Sequence, residues 1–255
     1  MFDVLPLRAF RDNYIWTLRR GKNVAVVDPG DAAPVLDYLD RERAHLVAVL
    51  ATHHHADHVG GIAELRSRHP DAQVYGPRDE PIATLTHPVG GGDTVALPEI
   101  DASFEVLDIP GHTRAHIAYY GAQSLFCGDT LFACGCGRVF EGTPELMLAS
   151  LSRLAALPDD TRVYCGHEYT LANIAFAKAV EPANAALAAL ESEASRVRAE
   201  DRPTLPSTIG REKATNPFLR CQVPAVAGAA EAYLGHRAAN PVAVFAALRE
   251  WKNRF

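Results

Sequence analysis

The sequence predicts an α/β layered domain over residues 1–168, followed by a smaller helical domain over residues 169–255. Three observations carry that expectation. Up to Glu168, short β-branched runs with Gly/Pro punctuation alternate with amphipathic stretches, the pattern of strands interleaved with helices. After Glu168 the strand-like runs stop. Side chains able to hold a metal fall directly after four separate strand-like runs, and strand ends gathered at one sheet edge are where α/β proteins build sites.

The elements follow in order. Val24–Val27 reads as a strand ending in the turn Asp28-Pro29-Gly30. Ala33 to Asp40 reads as a helix with Val35, Leu36 and Leu39 on one side. Leu46–Leu50 is an apolar run of buried-strand length that leads into Thr52-His53-His54-His55-Ala56-Asp57-His58-Val59-Gly60-Gly61. Ile62 and Leu65 lie on a helix that ends before His69-Pro70. Phe104–Leu107 leads into Pro110-Gly111-His112, and Ser124–Cys127 leads into Gly128-Asp129. Glu145 to Leu157 is a helix with Leu146, Leu148, Leu151 and Leu154, stopped by Pro158; Thr161–Cys165 then leads into Gly166-His167. In the tail, Leu187, Leu190, Ala194 and Val197 form one stripe on a helix begun near Pro182. Asn240-Pro241 is a cap and first-turn signal for a last helix bearing Val242, Phe245 and Leu248.

Composition narrows the function classes. With 48% hydrophobic and 22% charged residues, the chain is of ordinary globular make-up. A net charge of -6 leaves no broad basic face for nucleic acid. The longest apolar run, Ala44 to Ala51, falls well short of the ~18 residues of a spanning helix. The N-terminal stretch lacks an apolar signal-peptide core. Five cysteines in no framework spacing suit a reducing cytoplasm, and a monomer is expected.

Four of the chain's 11 histidines sit within 53–58. Side chains alternate on an extended segment, so His53 and His55 point one way and His54 the other. A helix starting near Asp57 would splay Asp57 and His58 toward a second position. Imidazoles and carboxylates suit zinc, iron or manganese, with zinc the first expectation. Counting gives His53, His55 and His112 on one ion, Asp57, His58 and His167 on a second, and Asp129 as the bridge. Packing these imidazoles together without a metal would leave repelling or unsatisfied groups. His45, His69, His87 and His236 read as surface or packing residues. Asp28 and His116 are candidates to orient a ligand histidine. Cys127 and Cys165 read as small hydrophobes in buried strands.

The order His53-x-His55-x-Asp57-His58, His112, Asp129, His167 resembles the metallo-β-lactamase superfamily. Phe10-Arg11-Asp12-Asn13-Tyr14-Ile15-Trp16, Leu131 to Gly142, Gly166-His167-Glu168-Tyr169-Thr170, Asn216-Pro217-Phe218-Leu219-Arg220 and Arg249-Glu250-Trp251-Lys252 are similar to the hydroxyacylglutathione hydrolase (glyoxalase II) family. That resemblance implies an αββα sandwich with a helical C-terminal domain. It implies hydrolysis of a glutathione thioester, S-(R)-lactoylglutathione, to glutathione and (R)-lactate in methylglyoxal detoxification. It also implies substrate contacts at Arg138, Phe140, Tyr169, Arg249 and Lys252. Some relatives carry Lys and Tyr in place of Arg138 and Phe140; Arg keeps the cation, whereas Phe140 has no phenolic hydroxyl to donate.

Physical chemistry is compatible with this. A hydroxide bridging two ions would attack the thioester carbonyl, with Asp57 and Asp129 orienting it, and a thiol of pKa about 8.5 leaves without a strong general acid. Arg249 and Lys252, three apart on one helix face, could hold a carboxylate or merely complement the helix C-terminus. Two other readings stay open: a mononuclear-iron dioxygenase acting on glutathione persulfide, and a non-enzymatic zinc-binding module.

Overall fold

The computed structural model describes residues 2–255. In chain order, strands β1 (Asp3–Ala9), β2 (Asn13–Arg20) and β3 (Asn23–Val27) precede helix α1 (Ala33–Glu42) and strand β4 (His45–Leu50). Helices α2 (Ala56–Val59) and α3 (Ile62–Arg68) come next, then strands β5 (Gln73–Pro77), β6 (His87–Val89), β7 (Thr94–Leu97), β8 (Ala102–Asp108), β9 (Ile117–Gly121) and β10 (Ser124–Gly128). Strands β11 (Leu131–Phe132) and β12 (Gly135–Cys136), helix α4 (Pro144–Ala155) and strand β13 (Arg162–Cys165) follow. The tail carries α5 (Thr170–Val180), α6 (Ala185–Ala199), strand β14 (Ser207–Thr208), α7 (Ile209–Thr215), α8 (Pro224–Leu234) and α9 (Pro241–Arg254).

The chain forms two compact units. Of the described residues, the first contains 2–108, 113–128 and 164–168; the second contains 109–112, 129–163 and 169–255. In the first unit, one sheet has the order β1-β2-β3-β4-β5-β6, antiparallel from β1 to β3 and parallel from β3 to β6. Helices α1 and α3 cover it: Val35, Leu39, Ile62 and Leu65 join Val24, Val26, Val49 and Val74 in one buried cluster. A second sheet runs from β7 through β8, β9 and β10 to β13. Aromatic rings knit the two sheets face to face. Trp16 of β2 meets Tyr164 of β13 edge-on at 4.9 Å, and Tyr164 stacks on Phe126 of β10 at 5.0 Å.

The second unit is mainly helical. Phe176, Phe218, Phe245 and Trp251 form its aromatic centre, with ring centroids 5.4–5.9 Å apart. Asn240 caps α9, its Oδ1 accepting from Ala243 N at 3.0 Å. Helix α6 starts at Ala185 rather than near Pro182, because Asn184 is the residue whose side chain accepts from Ala186 N and Leu187 N. One expectation is corrected: a strand does occur after Glu168. The two residues of β14 pair with Arg162 and Val163, and so short a segment leaves no hydrophobic run to read.

Candidate metal centre and cationic pocket

The histidine cluster occupies the exit of β4. Thr52 and His53 form a bend, His55 stands at the N-cap position of α2 without a side-chain capping bond, and His58 N donates to His55 O at 2.9 Å. Asp57 and His58 therefore sit in the first helical turn, while His53 and His55 lie in the loop between β4 and that turn. The turn Asp28-Pro29-Gly30 presses on this helix: a Cβ on Gly30 would lie 1.9 Å from Asp57 O, so only glycine fits. Gly128 (φ +47°) is similarly placed beside Thr52, where a Cβ would lie 2.2 Å from Oγ1.

Hydrogen bonds fix the histidine tautomers. Asp28, itself at φ +52°, accepts from Thr52 N and from the Thr52 hydroxyl, both at 2.8 Å. Having given its one proton to Asp28, the Thr52 hydroxyl accepts from His53 Nδ1 at 3.0 Å. Asp28 Oδ2 also accepts from His58 Nδ1 at 3.1 Å. Asp12 Oδ1 accepts from His167 Nδ1 at 2.8 Å. One aspartate thus orients two cluster histidines and a second orients His167. In each ring Nδ1 carries the proton, which makes Nε2 the nitrogen able to hold a cation.

The opening stretch Phe10 to Trp16 is explained by these contacts. Besides Asp12, Asn13 Nδ2 donates to Asp57 Oδ2 at 3.0 Å, Tyr14 donates to Glu168 at 2.9 Å, and Trp16 Nε1 donates to Cys165 O at 2.9 Å. His116 is buried; its Nδ1 donates to Ile117 O at 3.0 Å and its ring stacks on His53 at 4.5 Å. It supports His53 from behind. His54 turns instead to Glu80, whose carboxylate lies 2.6 Å from its Nδ1.

Donor spacing fits a divalent ion. With bonds of about 2.0–2.2 Å, tetrahedral donors lie about 3.3–3.6 Å apart. Asp57 Oδ2 is 3.6 Å from His58 Nε2 and 3.5 Å from His167 Nε2, and these three residues converge. His53 Nε2 and His55 Nδ1 face each other at 3.1 Å. In the second unit, His112 Nε2 lies 3.5 Å from Asp129 Oδ2, while His112 Nδ1 donates to Arg138 O at 2.8 Å. The same rule of a tied Nδ1 and a presented Nε2 holds there.

The second unit also holds a cavity of about 420 Å³ lined by His112, Asp129, Arg138, Tyr169, Arg249 and Lys252, with Phe140 at its rim. Three cations and two of the expected metal donors therefore share one wall. Arg249 is buried; its Nη1 donates to Cys136 O at 2.7 Å, its guanidinium lies over Phe218 at 5.1 Å, and among the described residues its Nε has no hydrogen-bond partner. Lys252 donates to Ala172 O at 3.1 Å, and burial, then the neighbouring Arg249, lowers its pKa to about 8. Phe140 is exposed and its ring meets His112 edge-on at 5.3 Å. Tyr169 lies at the start of α5 against Phe132.

Sequence reasoning singled out the Asn216 to Arg220 stretch but missed Glu212, and the two together brace this cavity. Glu212, fully buried, accepts from Ser207 (2.5 Å), Asn216 (2.9 Å) and Cys134 N (2.8 Å). Asn216 also donates to Phe132 O and Gly135 O, so the Asn216-Pro217-Phe218 stretch holds the β11–β12 ribbon that runs on into Arg138. Burial pushes Glu212 above the usual carboxylate range against those hydrogen bonds. Burial also pushes Cys134 to about 12 and raises Cys136, which keeps both thiols protonated and poor nucleophiles.

Comparison with known proteins agrees with this geometry. Residues 9–167 match the metallo-beta-lactamase superfamily, and residues 168–255 match the hydroxyacylglutathione hydrolase C-terminus. Among relatives, a hydroxyacylglutathione hydrolase of Nitrosomonas eutropha is 54% identical over the full length of both chains. Among solved structures, ETHE1 from Myxococcus xanthus has a TM-score of 0.64 at 27% identity, covering 85% of this chain and 83% of that one. TTHA1623 in a di-iron-bound form has a TM-score of 0.59 at 26% identity, covering 85% of this chain and 100% of that one. The fold is a metallo-β-lactamase domain followed by a helical C-terminal domain. The chain belongs to the hydroxyacylglutathione hydrolase family of the metallo-β-lactamase superfamily.

Proposed function

We propose that the chain hydrolyses S-(R)-lactoylglutathione to glutathione and (R)-lactate, the second step of methylglyoxal detoxification, at a centre of two divalent ions. At the coarser level, membership of the family makes it a thioester hydrolase for a hydroxyacylglutathione. The observation that carries the finer reading is the single cavity wall in which His112 and Asp129 stand beside Arg138, Arg249 and Lys252. An anionic glutathione arm held by those cations would place its thioester next to the metal donors.

His53, His55 and His112 are assigned to one ion, Asp57, His58 and His167 to the other, and Asp129 to both. In the chain, Asp129 directly follows Gly128 of β10, and His112 directly precedes Thr113. When bound, the ions supply Lewis acidity and a nucleophile ionised near neutral pH. Zinc suits this donor set first, with iron and manganese as alternatives.

The protein's own part is orientation. Asp28 and Asp12 keep the ligand rings in one tautomer. Asp57 and Asp129 direct the reacting oxygen toward the carbonyl. The Arg249 guanidinium and the Lys252 ammonium are assigned to carboxylate on glutathione, Arg138 adds charge in the same cavity, and Tyr169 and Phe140 are assigned as further substrate contacts. C–O bond formation breaks the C–S bond, and the thiolate leaves without a dedicated acid, its pKa being about 8.5. A monomer acting in the cytoplasm is part of the proposal; separately, among the described residues no helix is long and apolar enough to cross a membrane.

The test is metal analysis of purified protein alongside thioester hydrolysis. Two ions per chain with turnover of S-(R)-lactoylglutathione are expected. One iron per chain with oxygen uptake on glutathione persulfide would overturn the proposal, as would bound metal without thioesterase activity.

A further inference from the structure

Glu80 lies just after β5, in the turn Arg78-Asp79-Glu80-Pro81, with no local pattern around it to suggest a function. Its side chain is 2% exposed. A carboxylate in so buried a position is stable only when its lone pairs are satisfied. Here both oxygens are filled. Oε2 accepts from His54 N at 2.6 Å and lies equally close to His54 Nδ1. Oε1 accepts from the Thr113 hydroxyl and from Ala115 N at 3.2 Å. With about four acceptor sites on a carboxylate, this is close to saturation.

We propose that Glu80 is a positioning residue that sets the separation of the two loops carrying the ligands of one metal ion. This rests on the ligand assignment made above. One of its oxygens grips His54, the residue bonded to both His53 and His55, so holding its backbone and ring together constrains the two peptide units from which those neighbours project. The other oxygen grips Thr113, the residue bonded to His112. Glu80 thus reaches the neighbours of all three donors of that ion and none of the donors. Asp28 and Asp12 fix ring tautomers, whereas Glu80 fixes the distance between loops. His54 acquires a role too: it is the handle by which the loop is held, through its backbone N–H and its ring nitrogen alike, and the backbone bond survives in His54→Ala.

The test is metal affinity by chelator competition for Glu80→Gln, Glu80→Ala and His54→Ala, with hydrogen exchange of the His54 amide followed in the apoproteins. Glu80→Gln turns one acceptor into a donor facing N–H or O–H groups. The expected result is a loss of affinity of about 10–100-fold for one of the two ions, the range for groups that orient ligands, with the other ion held as in wild type. The His54 amide should lose protection in Glu80→Ala but keep it in His54→Ala, and excess metal should restore hydrolysis in Glu80→Gln. If either Glu80 variant retains both ions at wild-type affinity, or loses both equally, the positioning role is wrong. A wild-type protein that holds only one ion would instead overturn the two-ion reading itself, so the two failures are distinguishable. Should Glu80→Ala not fold, Glu80→Gln and Thr113→Val carry the same affinity comparison.

Discussion

The histidine cluster of the first unit and the cationic pocket of the second solve opposite problems. In the cluster, His53, His58 and His167 are almost wholly buried and each has its Nδ1 tied to a named partner. In the pocket, Arg138 and Phe140 reach into solvent and Tyr169 is a third exposed, and of its three cations Arg249 is the one both buried and anchored. A metal tolerates errors of a few tenths of an ångström at most, so its donors are over-determined. A flexible anionic peptide needs charge and reach more than fixed geometry, which long exposed side chains supply. Substitutions in the cluster should therefore act on metal and turnover, and substitutions in the pocket on substrate affinity.

The sharpest contrast is within two adjacent residues. His53→Ala should reduce turnover by more than the ~10–100-fold typical of residues that only orient a ligand, with metal lost. His54→Ala should leave most of the activity, because its backbone N–H still reaches Glu80. Comparable losses in kcat for both variants would break the alternation argument. Next, Asp28→Asn should cost about 10–100-fold in metal affinity, since it disturbs both His58 and, through Thr52, His53. Normal metal content in Asp28→Ala would remove Asp28 from this role.

Smaller effects belong to the pocket. Arg249→Ala should raise KM by about tenfold, or ~1.4 kcal/mol, with kcat little changed. A fall in kcat without a change in KM would show that its anchoring of Cys136 matters more than its charge. Lys252 gives a pH signature. Its pKa, lowered to about 8 by burial and by Arg249, means the ammonium is present below pH 8 and is lost as pH rises through it. KM should accordingly rise above about pH 8 in the wild type and stay flat in Lys252→Arg, measured as KM against pH at constant ionic strength. A wild-type KM independent of pH from 7 to 10 would place substrate charge recognition elsewhere.

Much of this was legible locally. Strands Val24–Val27, Leu46–Leu50 and Phe104–Leu107 are short apolar runs with sharp turn signals, and each lies within an observed strand. Strands β1 and β2 escaped because β1 is a half-exposed edge with weak alternation and charged residues interrupt the stretch between them. The residues that brace the site were hidden for a different reason. Asp12 reaches His167 across 155 positions, Asn13 reaches Asp57 across 44, and Glu80 reaches Thr113 across 33. A lone Asp or Glu in a turn looks like any solvated turn residue.

The sequence by itself determined the inventory: which side chains can ligate, that they follow strand ends, and that His54 differs from its neighbours. Those properties arise from residue chemistry and from the two-residue period of an extended chain. Only the tertiary structure decided which nitrogen of each imidazole faces a cation, since the partner that holds the other nitrogen comes from a distant strand or turn. It also decided that Glu80, unremarked by any pattern, joins the loop of His54 to the loop of Thr113. A hydrogen bond depends on separation in space, and local periodicity carries no information about that.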